Sequence, residues 1–273
     1  MDKLAKRGEG ECWDMKLDIY QVDAFTNKLF GGNPAAIVPL DDWLSDEVMQ
    51  AIAFENNLSE TAFFVRNDDV HELRWFTPTL EIDLCGHATL AAAFVIFTIL
   101  GSNEKVLKFE TKSGLLTVTK VGEEFVLDFP SRPATACEIP AGLIEAIGKQ
   151  PIETLRSRDY LLVYENEAEV LAIKPNFAEL LKIDMHAVIV TAKGNSSDFV
   201  SRFFAPEVGV FEDPVTGSAH CTLIPYWAEK LGKVKMFARQ VSTRGGEIFC
   251  ELHSDRVKIG GNALLYMKGE IYV

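Results

Sequence analysis

The sequence predicts an α+β protein built from two similar halves, and three observations carry that reading. Short apolar runs alternate with helical stretches along nearly the whole chain, so strands and helices are interleaved throughout. Several short segments recur in order at a nearly constant offset, the mark of a duplicated strand–loop–helix unit. The length of 273 residues, with 48% hydrophobic content, suffices for two packed domains or one large one and rules out wholesale disorder.

Taken in order, the first fourteen residues are polar and aperiodic, and a second methionine, Met15, precedes the first clear strand. Residues 1–15 therefore read as a disordered extension or a misassigned start; they lack the apolar stretch of a secretory signal. Strands are expected over 19–25 and 35–40, parted by the turn Gly31-Gly32-Asn33-Pro34. A helix follows over 45–56, with Ser45 as N-cap and Asp46 and Glu47 in the first turn, where acidic groups suit the helix dipole. Residues 61–65 and 72–76 return to strand. The stretch 88–100 is nearly apolar but interrupted by Thr89 and Thr98. A membrane span takes about 18 to 20 apolar residues, so this is a buried core helix and no membrane partner is expected.

The repeat organises the rest. Arg74-Trp75-Phe76-Thr77-Pro78 parallels Arg202-Phe203-Phe204-Ala205-Pro206, an offset of 202 − 74 = 128. Gly86-His87-Ala88 parallels Gly217-Ser218-Ala219 at 131, the difference being a three-residue insertion. Both segments enter apolar helices that end at Leu100-Gly101 and Leu231-Gly232, again 131 apart, and each glycine suits the left-handed position that terminates a helix. Thr111-Lys112-Ser113-Gly114 then parallels Thr243-Arg244-Gly245-Gly246. The expected halves are 16–128 and 129–263, with 264–273 pairing back into the first.

Charge and cysteine content limit the function. With 27 basic and 40 acidic residues the net charge is −13, a surface that repels phosphate backbones, so nucleic acid is not an expected partner. Cys12, Cys85, Cys137, Cys221 and Cys250 are odd in number and scattered, without a CxxC pair. They read as reduced thiols of a cytoplasmic protein. No His/Cys/carboxylate set has metal-ligand spacing, no phosphate-cradling glycine loop occurs, and Gly217-Ser218-Ala219 lacks the GxSxG elbow of a serine hydrolase.

Two similar halves facing each other enclose one cleft, at which the equivalent loops 81–88 and 209–219 meet. Each loop ends at a helix N-terminus, whose unpaired N–H groups attract anions, and Gly86 and Gly217 let a ligand approach the backbone. A small carboxylate held between the two helix starts is the expected ligand. In an acidic protein that attraction has to be local. The groups near the cleft able to move protons are Glu60, His87 and Asp213. Each also has a plain structural reading: Glu60 with Ser59 as a loop cap, His87 as a satisfied core group, Asp213 before Pro214 as a turn residue.

Three segments then carry a resemblance: Asn57-Leu58-Ser59-Glu60-Thr61-Ala62-Phe63, Cys85-Gly86-His87-Ala88-Thr89-Leu90 and Asp213-Pro214-Val215-Thr216-Gly217-Ser218-Ala219. With Gly32-Asn33-Pro34-Ala35 and Phe76-Thr77-Pro78, they resemble the PhzF-like family of phenazine-biosynthesis isomerases, from about Lys16 to the C-terminus. The resemblance implies the diaminopimelate-epimerase-like fold: two pseudo-symmetric domains, each a mixed sheet curled around a central helix. It implies an isomerase that moves a proton on a small carboxylate-bearing substrate without a cofactor or metal, working as a homodimer. Glu60 corresponds to the catalytic acid/base, with His87 and Asp213 assisting, and Gly86, Gly217, Ser218 and Cys85 holding the substrate. Related epimerases use two cysteines. Cys85 occupies the first of those positions but Thr216 the second, and a hydroxyl is too weak an acid to replace a thiolate. Two other readings stand beside it: an epimerase or dehydratase using Cys85, and a non-catalytic small-molecule-binding protein.

Overall fold

A computed structural model describes residues 15–67 and 69–273. Of the expected extension 1–15, residues 1–14 lie outside the described residues, and Met15 already exchanges backbone hydrogen bonds with Val273. The duplication extends to strand pairing. In the first half Lys16–Ala24 pairs antiparallel with Asn33–Leu40, which pairs parallel with Glu60–Asn67, which pairs antiparallel with Val70–Phe76. In the second half Glu153–Arg156, Tyr160–Val163, Val188–Lys193 and Phe199–Ala205 repeat that sequence of antiparallel, parallel and antiparallel pairings. Each half then runs through a central helix, Gly86–Phe94 or Gly217–Leu231, into a three-stranded antiparallel meander.

The chain crosses between halves twice. The final meander strands, Glu124–Pro130 and Arg256–Gly261, pair antiparallel with each other and join the two sheets. Beyond them Thr135–Ala136 pairs with Glu153–Arg156 in the second half, while Ala263–Tyr272 pairs with Lys16–Ala24 in the first. Each half thus receives its outer strand from the end of the other.

The repeated Arg-x-Phe segment has a physical cause. Arg74 pairs with Glu81 (Nε–Oε1 2.8 Å) while its guanidinium lies 5.2 Å from the Phe76 ring centroid. Arg202 does the same with Glu212 at 2.7 Å and Phe204 at 4.9 Å. Each pair ties the fourth strand of its half to the loop that leads to the central helix.

Local expectations hold with three adjustments. The first helix is Asp46–Asn56, and Ser45 Oγ accepts from the Val48 N–H. Asn33 and Pro34, expected in a turn, begin the second strand instead. Pro34 is tolerated there because strand ends do not need every N–H. The first central helix is α-helical only over Gly86–Phe94 and widens to a π-helix over Val95–Ile99, a transition that composition does not reveal. Gly101 and Gly232 both adopt the left-handed conformation expected of them (φ +74° and +65°). Both central helices are sheathed by their sheets, and Gly86–Phe94 is buried throughout. No helix among the described residues is long and apolar enough to cross a membrane. Cys85, Cys137, Cys221 and Cys250 are free thiols.

The halves are also clasped on the cleft's flank. Arg244 Nη2 donates to the buried Asp23 carboxylate (2.8 Å) and to the Gly31 carbonyl (2.9 Å), and its Nε donates to the Gly32 carbonyl (2.8 Å). Gly32 and Glu247 N–H groups close the joint onto Gly245 and Phe25 carbonyls. Removing one partner of a buried ion pair strands the other's charge. Arg244→Ala is therefore expected to lower unfolding free energy by about 3 kcal/mol, read by urea denaturation. A change below about 0.5 kcal/mol, the range of an ordinary surface substitution, would show that the clasp contributes nothing.

Candidate active site

The two central helices begin face to face. A Cβ placed on Gly86 would lie 3.4 Å from the Gly217 Cα, and one on Gly217 the same distance from the Gly86 Cα. Glycine at both positions lets the helix starts approach this closely. Neither Cys85 nor Thr216, the two N-cap residues, caps its own helix with its side chain, so N–H groups of both first turns face the junction. A cleft of about 460 Å³ opens there. Its lining includes Glu60, Cys85, Gly86, His87, Asp213, Thr216, Gly217 and Ser218, so every site residue singled out in the sequence borders one space.

Beneath the cleft floor the ionisable groups form a connected, buried chain. Glu60, the first residue of its strand, places Oε2 2.9 Å from His87 Nε2. The two atoms are not in hydrogen-bond alignment, and neither has another partner. On the other side of the ring, His87 Nδ1 lies 3.5 Å from Cys85 Sγ and 3.1 Å from the Asn33 amide nitrogen. Asn33 is fully buried, and that nitrogen also donates to Asp213 Oδ1 (2.8 Å) and the Val215 carbonyl (3.0 Å). With two N–H groups committed to those oxygens, Asn33 leaves His87 Nδ1 to carry its own proton towards the Cys85 sulfur. Thr216 Oγ1 donates to Asp213 Oδ2 (2.5 Å), and Gln240 braces the corner by donating to Thr216 Oγ1 and the Asp213 carbonyl while accepting from the Thr216 N–H.

The titration of these groups follows from that arrangement. Burial opposes a charged His87, but the Cys85 sulfur, as acceptor for the ring N–H, and the Glu60 carboxylate act the other way and raise the imidazole's pKa well above its ordinary value. Burial, aided by the Glu60 charge, pushes the Cys85 thiol up, so Cys85 stays protonated. Burial also pushes Asp213 up to about 6, against the pull of His87 and the hydrogen bonds from Thr216 and Asn33.

One trio of possible metal ligands comes together among the described residues: Glu60, Cys85 and His87, with ligand atoms within 4.8 Å of one another. Sequence spacing missed it because the ligands come from two separate elements. Its chemistry fits a metal poorly, because an ion would have to displace a proton from a thiol that burial protects and from an imidazole that Glu60 keeps cationic.

Sequence reasoning also missed the cleft's cationic rim. Arg132, Arg158 and His186 line it, and the buried Asp159 grips both Arg158 (Nη2–Oδ2 3.0 Å) and His186 (Nδ1–Oδ1 2.7 Å). Burial works against the Asp159 carboxylate, yet His186 and Arg158 outweigh it and hold its pKa below the ordinary value. Asn33 was visible only within the turn motif; nothing in the pattern joined it to Asp213, 180 residues away.

Two matching halves that each aim a helix start into a shared cleft define the epimerase-like fold. A hydroxyproline epimerase from Agrobacterium vitis has the same fold, with a TM-score of 0.61 at 11% identity over 96% of this chain and 94% of that one. Closer matches carry more. The sequence profile of the PhzC-PhzF family, phenazine biosynthesis-like proteins, matches residues 22–269. An uncharacterized isomerase of Pseudomonas aeruginosa is 51% identical, covering 95% of this chain and 100% of that one. The human phenazine biosynthesis-like domain-containing protein is 40% identical, covering 94% and 99%. The crystal structure of a PhzF-family phenazine biosynthesis protein from Enterococcus faecalis superposes with a TM-score of 0.93 at 49% identity, covering 95% and 100%. The chain belongs to the phenazine biosynthesis-like family.

The raised Asp213 carboxyl gives a pH signature. As pH rises from the usual 3.8 to about 6, the unfolded chain releases this proton while the folded protein keeps it. The folded state then binds more protons, so Asp213 makes stability fall with pH across that window and adds nothing further above it. Relative to Asp213→Asn, the wild type should lose about 1.4 kcal/mol per pH unit through the window, measured by chemical denaturation between about pH 4 and 7, which spans it. A difference that is flat below pH 6 would place the proton elsewhere.

Proposed function

We propose that this protein is an isomerase that moves a proton within a small carboxylate-bearing substrate, with Glu60 as the acid/base. The observation that carries the reading is the buried Glu60–His87 pair, opening on a cleft where two helix starts converge. Glu60 Oε2 is sealed against His87, which leaves Oε1 as the oxygen available to the cleft. Oε1 takes a proton from an allylic carbon of the substrate, the electron pair shifts across the double bond, and the same oxygen returns the proton two carbons away. Atoms balance and no external oxidant or reductant is needed. The helix-start N–H groups hold the carboxylate and, with His87, stabilise the negative charge that develops between the two steps.

The Cys85-based alternative finds little support in this arrangement. The thiol is held protonated by burial, and the hydroxyl at the second cysteine position is committed to Asp213. A single base on one side of the cleft suits a suprafacial shift, whereas epimerisation by two bases needs one on each face. On the family resemblance, the proposal extends to a cytoplasmic homodimer working without cofactor.

The test is solvent exchange. A pool of small unsaturated amino and hydroxy acids incubated with the protein in D2O and followed by NMR should reveal a substrate that gains deuterium. Glu60→Gln should slow that exchange by about 10²- to 10⁴-fold, the usual contribution of a positioned acid/base. Cys85→Ala should stay within about tenfold of wild type, far above that loss. Undiminished exchange in Glu60→Gln would sink the assignment, and loss in Cys85→Ala alone would revive the thiol reading.

A further inference from the structure

The cationic rim lies on one face of the second central helix, and a proline helps put it there. Pro225 has no N–H to offer the Cys221 carbonyl four residues earlier, and the Arg132 backbone N–H occupies that carbonyl instead, at 2.8 Å. Arg132 is thereby pinned beside the first turns of the helix, half-buried, with its side chain lining the cleft. On the same face, one turn nearer the helix start, Arg158 Nη2 reaches Ser218 Oγ at 3.4 Å. Both arginines line the one cleft, and burial raises the Cys221 thiol to about 11 against the opposing pull of Arg132, Arg158 and Arg256.

Their placement is electrostatically costly as it stands. Two cations sit near the positive end of a helix dipole, where anions are favoured. Asp159 offsets Arg158, but it also serves His186. Asp83 lines the same cleft and forms no ion pair with either arginine, and the Arg132 guanidinium has no acidic or hydrogen-bonding partner among the described residues. An anion entering the cleft resolves this. The expected carboxylate position, between Gly86 and Gly217, lies about one helical turn, or 5.4 Å, from the Cys221 level at which Arg132 is held.

Resting on the reading of this cleft as the substrate site, we propose that Arg132 and Arg158 form a second anion subsite. The substrate is then a small dianion: a carboxylic acid bearing a further carboxylate or phosphate-type group.

Three probes with the same three carbons beyond the first carboxylate, differing only in what ends the chain, test this by calorimetry at fixed ionic strength: butyrate, glutarate and 4-phosphonobutyrate. A dianion is expected to bind wild type about tenfold more tightly than butyrate, a typical gain from a charge pair in a cleft. Whichever of glutarate and 4-phosphonobutyrate shows the larger preference identifies the second group as carboxylate or phosphate-like. In Arg132→Gln the preference should collapse towards unity. This variant is the clean one because its side chain has no partner to lose, so its thermal stability should match wild type. Arg158→Gln should act alike, with Arg158→Lys restoring part of the preference. Equal binding of all three probes, a preference untouched by Arg132→Gln, or no binding of either dianion up to about 50 mM, a range in which contacts contribute under 2 kcal/mol, would overturn the subsite. If that happens while Glu60→Gln still abolishes exchange, the proton-transfer reading survives alone. If Glu60→Gln is silent while the Arg132-dependent preference holds, the cleft is a dianion-binding site without that chemistry.

Discussion

Everything at the junction of the two halves depends on burying three ionisable groups together. Glu60, His87 and Asp213 are each no more than 9% exposed, and an isolated charge in such a place costs several kcal/mol. The arrangement reduces that cost by allotting protons. Glu60 and His87 lie 2.9 Å apart with the imidazole's pKa raised, while burial raises the Asp213 carboxyl to about 6. Asn33 separates the two systems, supplying its N–H groups to Asp213 and Val215 and none that His87 requires. A carboxylate poised beside a fixed cation, opening on a cleft, is the chemical outcome.

The duplication makes that junction possible. Equivalent helix starts face each other at Gly86 and Gly217, and equivalent Arg–Glu pairs tie each fourth strand to the loop ahead of its helix. The symmetry is broken where chemistry is placed. His87 follows Gly86 in the first half, while Ser218 follows Gly217 in the second, and Cys85 faces Thr216. The first half thus supplies Glu60 and His87, and the second supplies Asp213, its carboxyl pKa raised to about 6, and the arginine-flanked face. Pro225 contributes to the same division, since the carbonyl it frees holds Arg132 in place.

Much of this was legible in the sequence. The repeat at offsets of 128 and 131 foretold two halves and one cleft, since residues that form matching strands and loops must share their pattern of Arg, aromatic and Gly positions. The Glu60, His87 and Asp213 segments stood out because each sits beside a glycine, a strand start or a helix start. What stayed hidden depends on contacts across the fold. Asn33 looked like a turn residue because Gly31 and Gly32 precede it and Pro34 follows, yet it begins a strand and bonds across 180 positions. Arg132, Arg158 and Asp159 belong to irregular stretches without periodicity. The −13 net charge suggested that attraction for an anion rested on helix N–H groups alone, whereas the rim adds two guanidiniums. The metal-like trio escaped notice for the same reason: spacing along the chain says nothing about strands and helices that meet in space.

The buried cluster of Cys85, Glu60 and His87 favours an imidazolium at the junction, and nitrogen NMR of the imidazoles reads its protonation state. The chain has five histidines, and burial pushes the pKa of two of them down, His71 and His220, the latter to about 4. At pH 7.5 His87 is expected to be doubly protonated beside neutral His71 and His220, with its pKa lowered in Glu60→Gln. A wild-type His87 observed as a single neutral tautomer at pH 7.5 would contradict it.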